Sequence, residues 1–170
     1  MDNDDETLRR EISDLFGDLQ TVFLATVDGV QPRVRPVTLI HVGGKLFVGT
    51  GAGDAKAAQV RKNSKVEFRL LLEKGEAKGT LRAECNAKTV TDRAVKADVY
   101  ERVAFMKEFW SNSDDPRFVL LSLEPTCFEY MPAGSMQSTK VKTQALQMPI
   151  AKRLSGGLAA WLMTATSATL

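Results

Sequence analysis

Four residues of this chain have types and spacing suited to one chemistry, the holding of a phosphate. They are Arg33 and Arg35, Thr50 at the end of a short apolar run, and Lys56 shortly after a Gly-rich turn. All lie in one stretch, FLATVDGVQPRVRPVTLIHVGGKLFVGTGAGDAKAAQV, residues 23–60. Alternate residues of a strand face the same way, so the two guanidinium groups share a face. A hydroxyl, an ammonium and the N-terminus of the helix that Lys56 opens complete a donor set that suits a doubly charged anion. The stretch therefore predicts a site for a phosphate-bearing cofactor.

Other chemistries find little support. His41 is the single histidine, which removes multi-histidine metal sites and most catalytic triads, and its place beside Gly43 and Gly44 predicts a turn residue. Gly49, Gly51 and Gly53 match neither the dinucleotide fingerprint nor the P-loop. Asp114 and Asp115 read as solvated turn residues. Cys85 and Cys127 fall on apparent strands and read as inert thiols. No catalytic acid, base or nucleophile and no metal ligand is assigned, so any reactivity has to come from a bound organic cofactor.

The elements that would position these residues follow from composition and periodicity. A chain of 170 residues, 44% hydrophobic, makes one domain with a real core. With 23 basic against 21 acidic residues, no nucleic acid or membrane partner is expected through bulk charge. The stretch MDNDDETLRREI is acidic and polar where a signal peptide is basic and then apolar, and a cytoplasmic location is expected. Leu8, Ile12, Leu15, Phe16 and Leu19 keep a helical period behind a cap at Asp5 or Thr7, with the helix ending near 17–20. Strands are expected over 21–27, 31–40 and 45–50, then a short helix from Gly53 or Asp54 to Asn63, and strands over 65–72 and 77–89. Thr91-Asp92 caps a further helix whose apolar stripe runs to about Trp110, and a strand over 117–131 closes the regular part. Antiparallel hairpins with inserted helices predict a small barrel or strongly curved sheet rather than a doubly wound parallel one. Residues 1–131 form that domain. The extension 132–170 ends in the charge-free LSGGLAAWLMTATSATL, which is short and rich in Gly, Ser and Thr for a membrane span. A disordered tail, an interfacial helix and a segment docking on a partner subunit stay open for it.

QPRVRPVTL, GGKLFVGT and AKAAQVRKNSKV together resemble the pyridoxamine 5'-phosphate oxidase-like, FMN-binding split β-barrel family, in particular its small stress-protein-like members, from the first helix to Met131. The resemblance implies a mainly β fold with inserted helices, a six-stranded antiparallel split β-barrel, and a homodimer with FMN held at the interface. It implies further that Arg35, Thr50 and Lys56 bind the phosphate or ribityl chain, that Pro36, Val37 and Thr38 run along the isoalloxazine edge, and that Gln59 adds a contact from the helix. Arg33 either joins the phosphate site, stays a solvent-facing strand residue, or forms an ion pair with Glu67 or Glu84. Ile40 stands where the true oxidase has a lysine, and the chain ends in SATL rather than an arginine-rich segment, so pyridoxamine phosphate is not the expected substrate. Trp110 and Tyr130 read as core or interface aromatics. The implied function is an FMN-dependent oxidoreductase acting on a small redox substrate. Its alternatives are a flavin-binding stress or sensor protein with little turnover, and a relative using a deazaflavin or haem.

Overall fold

Runs of β-branched and apolar residues separated by two-residue, Gly-containing turns fold most simply as hairpins. In the computed structural model, which describes residues 2–143, they do so: α1 (Asp2–Asp14), β1 (Leu19–Asp28), β2 (Gln31–Val42), β3 (Lys45–Gly51), α2 (Ala55–Lys62), β4 (Lys65–Lys74), β5 (Ala77–Thr89), α3 (Arg93–Arg102), α4 (Met106–Phe109), β6 (Phe118–Met131) and β7 (Thr139–Lys142). Gly43 and Gly44, at φ of 59° and 72°, make the two left-handed residues that a tight β2–β3 turn needs.

All the pairings are antiparallel, in the order β3-β2-β1-β4-β5-β6-β7, and β3 also pairs with β6. That last pairing joins six strands into a ring, so the expected six-stranded barrel is present. Closure satisfies the backbone edges that β3 would otherwise expose. Val22, Leu24, Leu39, Phe68, Leu81 and Phe128 fill the interior. Ile12 and Phe16 of α1 pack into the same core, with the Phe16 ring 6.3 Å from Phe68 and 6.0 Å from Phe128. On the outer wall, Tyr100, Met106 and Trp110 of the α3–α4 region bury Ile40, Phe47, Phe118 and Leu120 in a second cluster.

Four details depart from the expectations. The first helix runs from Asp2 to Asp14, so Asp5 and Thr7 lie inside it rather than capping it, and it stops short of 17–20, with Leu19 opening β1 instead. The helix capped by Asp92, whose carboxylate accepts from the Ala94 and Val95 amides, ends at Arg102 because Val103 turns extended; α4 is a separate turn. His41 is not a turn residue. It is 1% exposed within β2, edge-on to Phe16 at 6.1 Å, because the turn tightens to Gly43 and Gly44 alone. Asp115 is not a solvated turn residue either: its carboxylate is buried and accepts from the Arg117 amide and guanidinium and from Ser111, while Asp114 stays exposed near Arg93.

β7 lies within the expected extension 132–170, pairs with the second half of β6 and buries Val141. The charge-free stretch over 154–170 lies outside the described residues. Trp110 and Tyr130 are core aromatics. Cys85 and Cys127 are free thiols, Cys85 buried and Cys127 half-buried.

Candidate functional site

Antiparallel pairing brings the C-terminal ends of β1 and β3 and the N-terminal end of β2 to the same end of the barrel. The crossing from β3 to β4 closes that end with α2, which buries Ala57, Gln59 and Val60. The predicted phosphate residues all lie on these elements, and the structure sorts them into two hydrogen-bonded groups.

The first group surrounds Asp54. Its backbone is extended at the N-cap position (φ −70°, ψ 139°), yet its carboxylate makes no capping bond to the helix amides. It turns instead to the end of β3. There one oxygen, Oδ2, accepts from Thr50 Oγ1 at 2.6 Å, from the Gly51 amide at 3.0 Å and from Lys56 Nζ at 2.8 Å. Burial opposes the negative charge, but the bonds from Lys56, Thr50 and Gly51 outweigh it and hold the carboxyl below its ordinary range. Two of the expected donors, the Thr50 hydroxyl and the Lys56 ammonium, thus converge on one anionic oxygen, joined by the Gly51 amide of β3 rather than by the amides of the α2 N-terminus.

The second group surrounds Arg35. Its side chain lies on the inward-facing side of β2, the same side as Val37 and Leu39. Its guanidinium donates to Thr26 Oγ1, to Gln59 Oε1 at 2.9 Å and, weakly, to the Leu24 carbonyl at 3.4 Å. Thr26 also donates to Gln59 Oε1 at 2.6 Å, so strand and helix are tied through one amide oxygen. Burial, reinforced by neighbouring Arg33, pulls the Arg35 pKa down from its ordinary value. Arg33 shares the face but pairs with Asp28 at 3.8 Å, both half-exposed, and not with Glu67 or Glu84. Glu67 is instead gripped by Arg82 through bonds of 2.9 and 3.1 Å.

The two guanidinium groups therefore do not join Thr50 and Lys56 on one point. Gln59 lies one turn after Lys56 on α2 and bonds the Arg35 group, so the helix carries a member of each.

Pro36 and Thr38 lie on the opposite, outer face from Arg35 and Val37. The outer wall there carries the apolar side chains that remain most exposed within the sheet: Val34 at 65%, Leu71 at 54% and Phe23 at 39%. Register continues this row outward, Pro36 beside Phe23, Phe23 beside Arg69, Arg69 beside Arg82, Arg82 beside Glu129. A cleft of about 400 Å³ opens at the charged end of the row between Arg69, Thr80, Arg82 and Met131. It lies on the outer wall and takes no lining from Thr50, Asp54 or Lys56.

The sequence alone does not single out Asp54 or Thr26. The alternation along β1 places Thr26 inside the barrel, which is a usable signal. For Asp54 there is none, since an aspartate opening a helix reads as its cap.

Comparison with known proteins bears on the same segments. Residues 8–131 match the family model described as pyridoxamine 5'-phosphate oxidase. General stress protein 26 of Bacillus subtilis is 23% identical over 130 residues, 76% of this chain and 91% of that protein. The crystal structure of general stress protein 26 from Bacillus anthracis superposes with a TM-score of 0.64 at 20% identity, covering 79% of this chain and 98% of the other. The haem storage protein HutZ of Vibrio cholerae superposes with a TM-score of 0.54 at 21% identity, covering 78% of this chain and 96% of that one.

Proposed function

Since the chain belongs to the pyridoxamine 5'-phosphate oxidase family, we propose that it holds FMN at the α2 end of the barrel and works as a flavin-dependent oxidoreductase on a small redox substrate. The observation that carries this reading is the convergence of Thr50 Oγ1, the Gly51 amide and Lys56 Nζ on a single anionic oxygen. Such a set fits a phosphate: charge-assisted bonds are the strong class, and the α2 N-terminus adds a favourable dipole.

Thr50, Gly51 and Lys56 would hold the phosphate. Arg35, fixed by Thr26 and Gln59, places a positive charge at the same barrel end, where it would reach the phosphate or ribityl chain. The outward row of Pro36, Thr38 and Phe23 offers a flat, partly apolar wall for the ring. Bound FMN would supply the electron-transfer chemistry, and the chain supplies grip, orientation and a surface. The exposed apolar patch of Phe23, Val34 and Leu71 suits burial against a second copy, which supports a homodimer with the flavin at its seam.

The purified full-length protein should be yellow, with a flavin spectrum, and have the mass of a dimer in solution. A colourless monomer that takes up no added FMN would refute the proposal. Oxidation of reduced nicotinamide by the FMN-loaded dimer separates an oxidoreductase from a flavin-binding stress or sensor protein; absence of turnover with any donor favours the second. Haem in place of flavin is the other reading, motivated by the fold shared with HutZ. Against it stands the single histidine, buried in the barrel with its ring beside Phe16. A haem or deazaflavin spectrum in place of the flavin one would decide for either of those cofactors.

A further inference from the structure

The donors expected to hold a phosphate oxygen already hold an oxygen, and it belongs to the protein. Asp54 Oδ2 takes all three bonds itself, from Thr50, Gly51 and Lys56. Lys56 forms its ion pair with this carboxylate at 2.8 Å, and both side chains are largely shielded, at 17% and 26% exposure. The carboxylate is not needed to start the helix, because it makes no bond to the α2 amides; the Ala57 and Ala58 amides bond to the Asp54 backbone carbonyl instead. Beside it the chain is open at Gly53, where an added Cβ would meet nothing within 4 Å, and the nearest atoms to a Cβ at Gly51 would be those of the Asp54 carboxylate, at 3.4–3.5 Å.

We propose that Asp54 is an internal competitor for the anion site, its carboxylate occupying the position of a phosphate oxygen and having to swing clear before a phosphomonoester can take the same donors. This rests on the flavin reading for its natural ligand, but the competition is a property of the chain. Two effects act in the same direction. The incoming phosphate must replace bonds that are already charge-assisted, so its net gain is reduced. A displaced Asp54 then remains tethered beside a dianion of like sign, which disfavours the loaded state further. Asp54 thereby lowers the premium the site places on the phosphate group, and with it the discrimination between FMN and unphosphorylated riboflavin.

The test compares the full-length wild type with Asp54→Ala and Asp54→Ser, titrated with FMN, with riboflavin and with inorganic phosphate. Serine remains a favourable N-cap residue and guards against a folding defect in the alanine variant. The expected result is FMN bound about tenfold tighter or more by both variants, as loss of one competing charge-assisted acceptor predicts, with riboflavin affinity within about twofold of wild type. FMN affinity unchanged or weakened in both variants overturns the proposal and leaves the flavin reading standing. If no protein binds either flavin, the flavin reading fails, and inorganic phosphate decides the competition. Phosphate bound about tenfold tighter by the variants upholds it, and equal or weaker binding overturns it.

Discussion

Replacing Arg35 by alanine separates a ligand-binding residue from a structural tie, because the two roles move different observables. In the free protein the guanidinium bonds Thr26 and Gln59 and reaches weakly to Leu24. Gln59 and Thr26 are 6% and 2% exposed, so removal of Arg35 leaves their oxygens bonded only to each other. One charged hydrogen bond contributes roughly 1.5–3 kcal/mol, and the incomplete burial of Arg35 puts the loss toward the lower end. For a chain of this size about 1 kcal/mol moves the melting temperature by roughly 2–4 °C, so the free variant should melt about 3–6 °C lower. If Arg35 also faces the cofactor, loss of the same class of bond raises the FMN dissociation constant by about tenfold or more, at roughly 1.4 kcal/mol per decade. Calorimetric titration with FMN, alongside thermal unfolding of the apoprotein, reads both. Arg35→Lys keeps the charge without the fork and should recover part of the affinity. A variant that melts lower but binds FMN as the wild type does would remove Arg35 from the cofactor site.

Three further outcomes follow from the fold. Gly79→Ala should be destabilising by about 1–3 kcal/mol, read as a lower thermal midpoint, because its Cβ would lie 2.5–2.7 Å from backbone atoms of Met131, Pro132 and Ala133; an unchanged midpoint would mean that loop yields freely. Burial lowers the pKa of His41 against smaller opposing effects of Asp18 and the Phe16 backbone. The unfolded chain therefore binds the proton more readily, and stability is fully present above the unfolded pKa of about 6.5 and falls as pH drops toward the folded value, by at most about 1.4 kcal/mol per pH unit. Urea midpoints of wild type should thus decline between neutral and mildly acid pH more steeply than those of His41→Leu, and parallel slopes would contradict it. Val141→Asp, placing a charge at a position 3% exposed, should detach β7 and cost about 1–3 kcal/mol in urea unfolding, while an unaffected midpoint would show that β7 contributes nothing.

The first six strands were legible because apolar alternation meets turn or cap residues at their ends, as at 77–89, bracketed by Gly75 and the Thr91-Asp92 cap, whereas the four residues of β7 are too short and polar a run to stand out in the extension. The helix following it was harder. Val103 and Phe105 keep a helical spacing, but the extended backbone of Val103 ends α3 and leaves Phe105 to open a second turn. His41 and Asp115 escaped for one reason, that a polar residue near a turn is ordinarily solvated, whereas here the barrel interior and Arg117 enclose them. At the candidate site, residue types singled out Thr50, Lys56 and Arg35, and the family resemblance added Gln59. Their grouping did not follow, because which donors meet depends on the pitch of α2 across the barrel end and on Asp54 choosing Thr50 over its own helix.

The pairing of β3 with β6 has a consequence for how the molecule comes into being. Gly51 and Phe118 are register partners, so the seam that completes the ring joins segments far apart along the chain. Contacts of such sequence separation are slow to form, since a long loop must lose its freedom before any of them is made. A nascent polypeptide emerging from the ribosome would display β3 and β5 with unpaired rims until residues 118–131 arrive. Translation arrest short of that point leaves an open five-stranded sheet exposed to aggregation, and mutations along β6 should show up first in the yield of soluble protein.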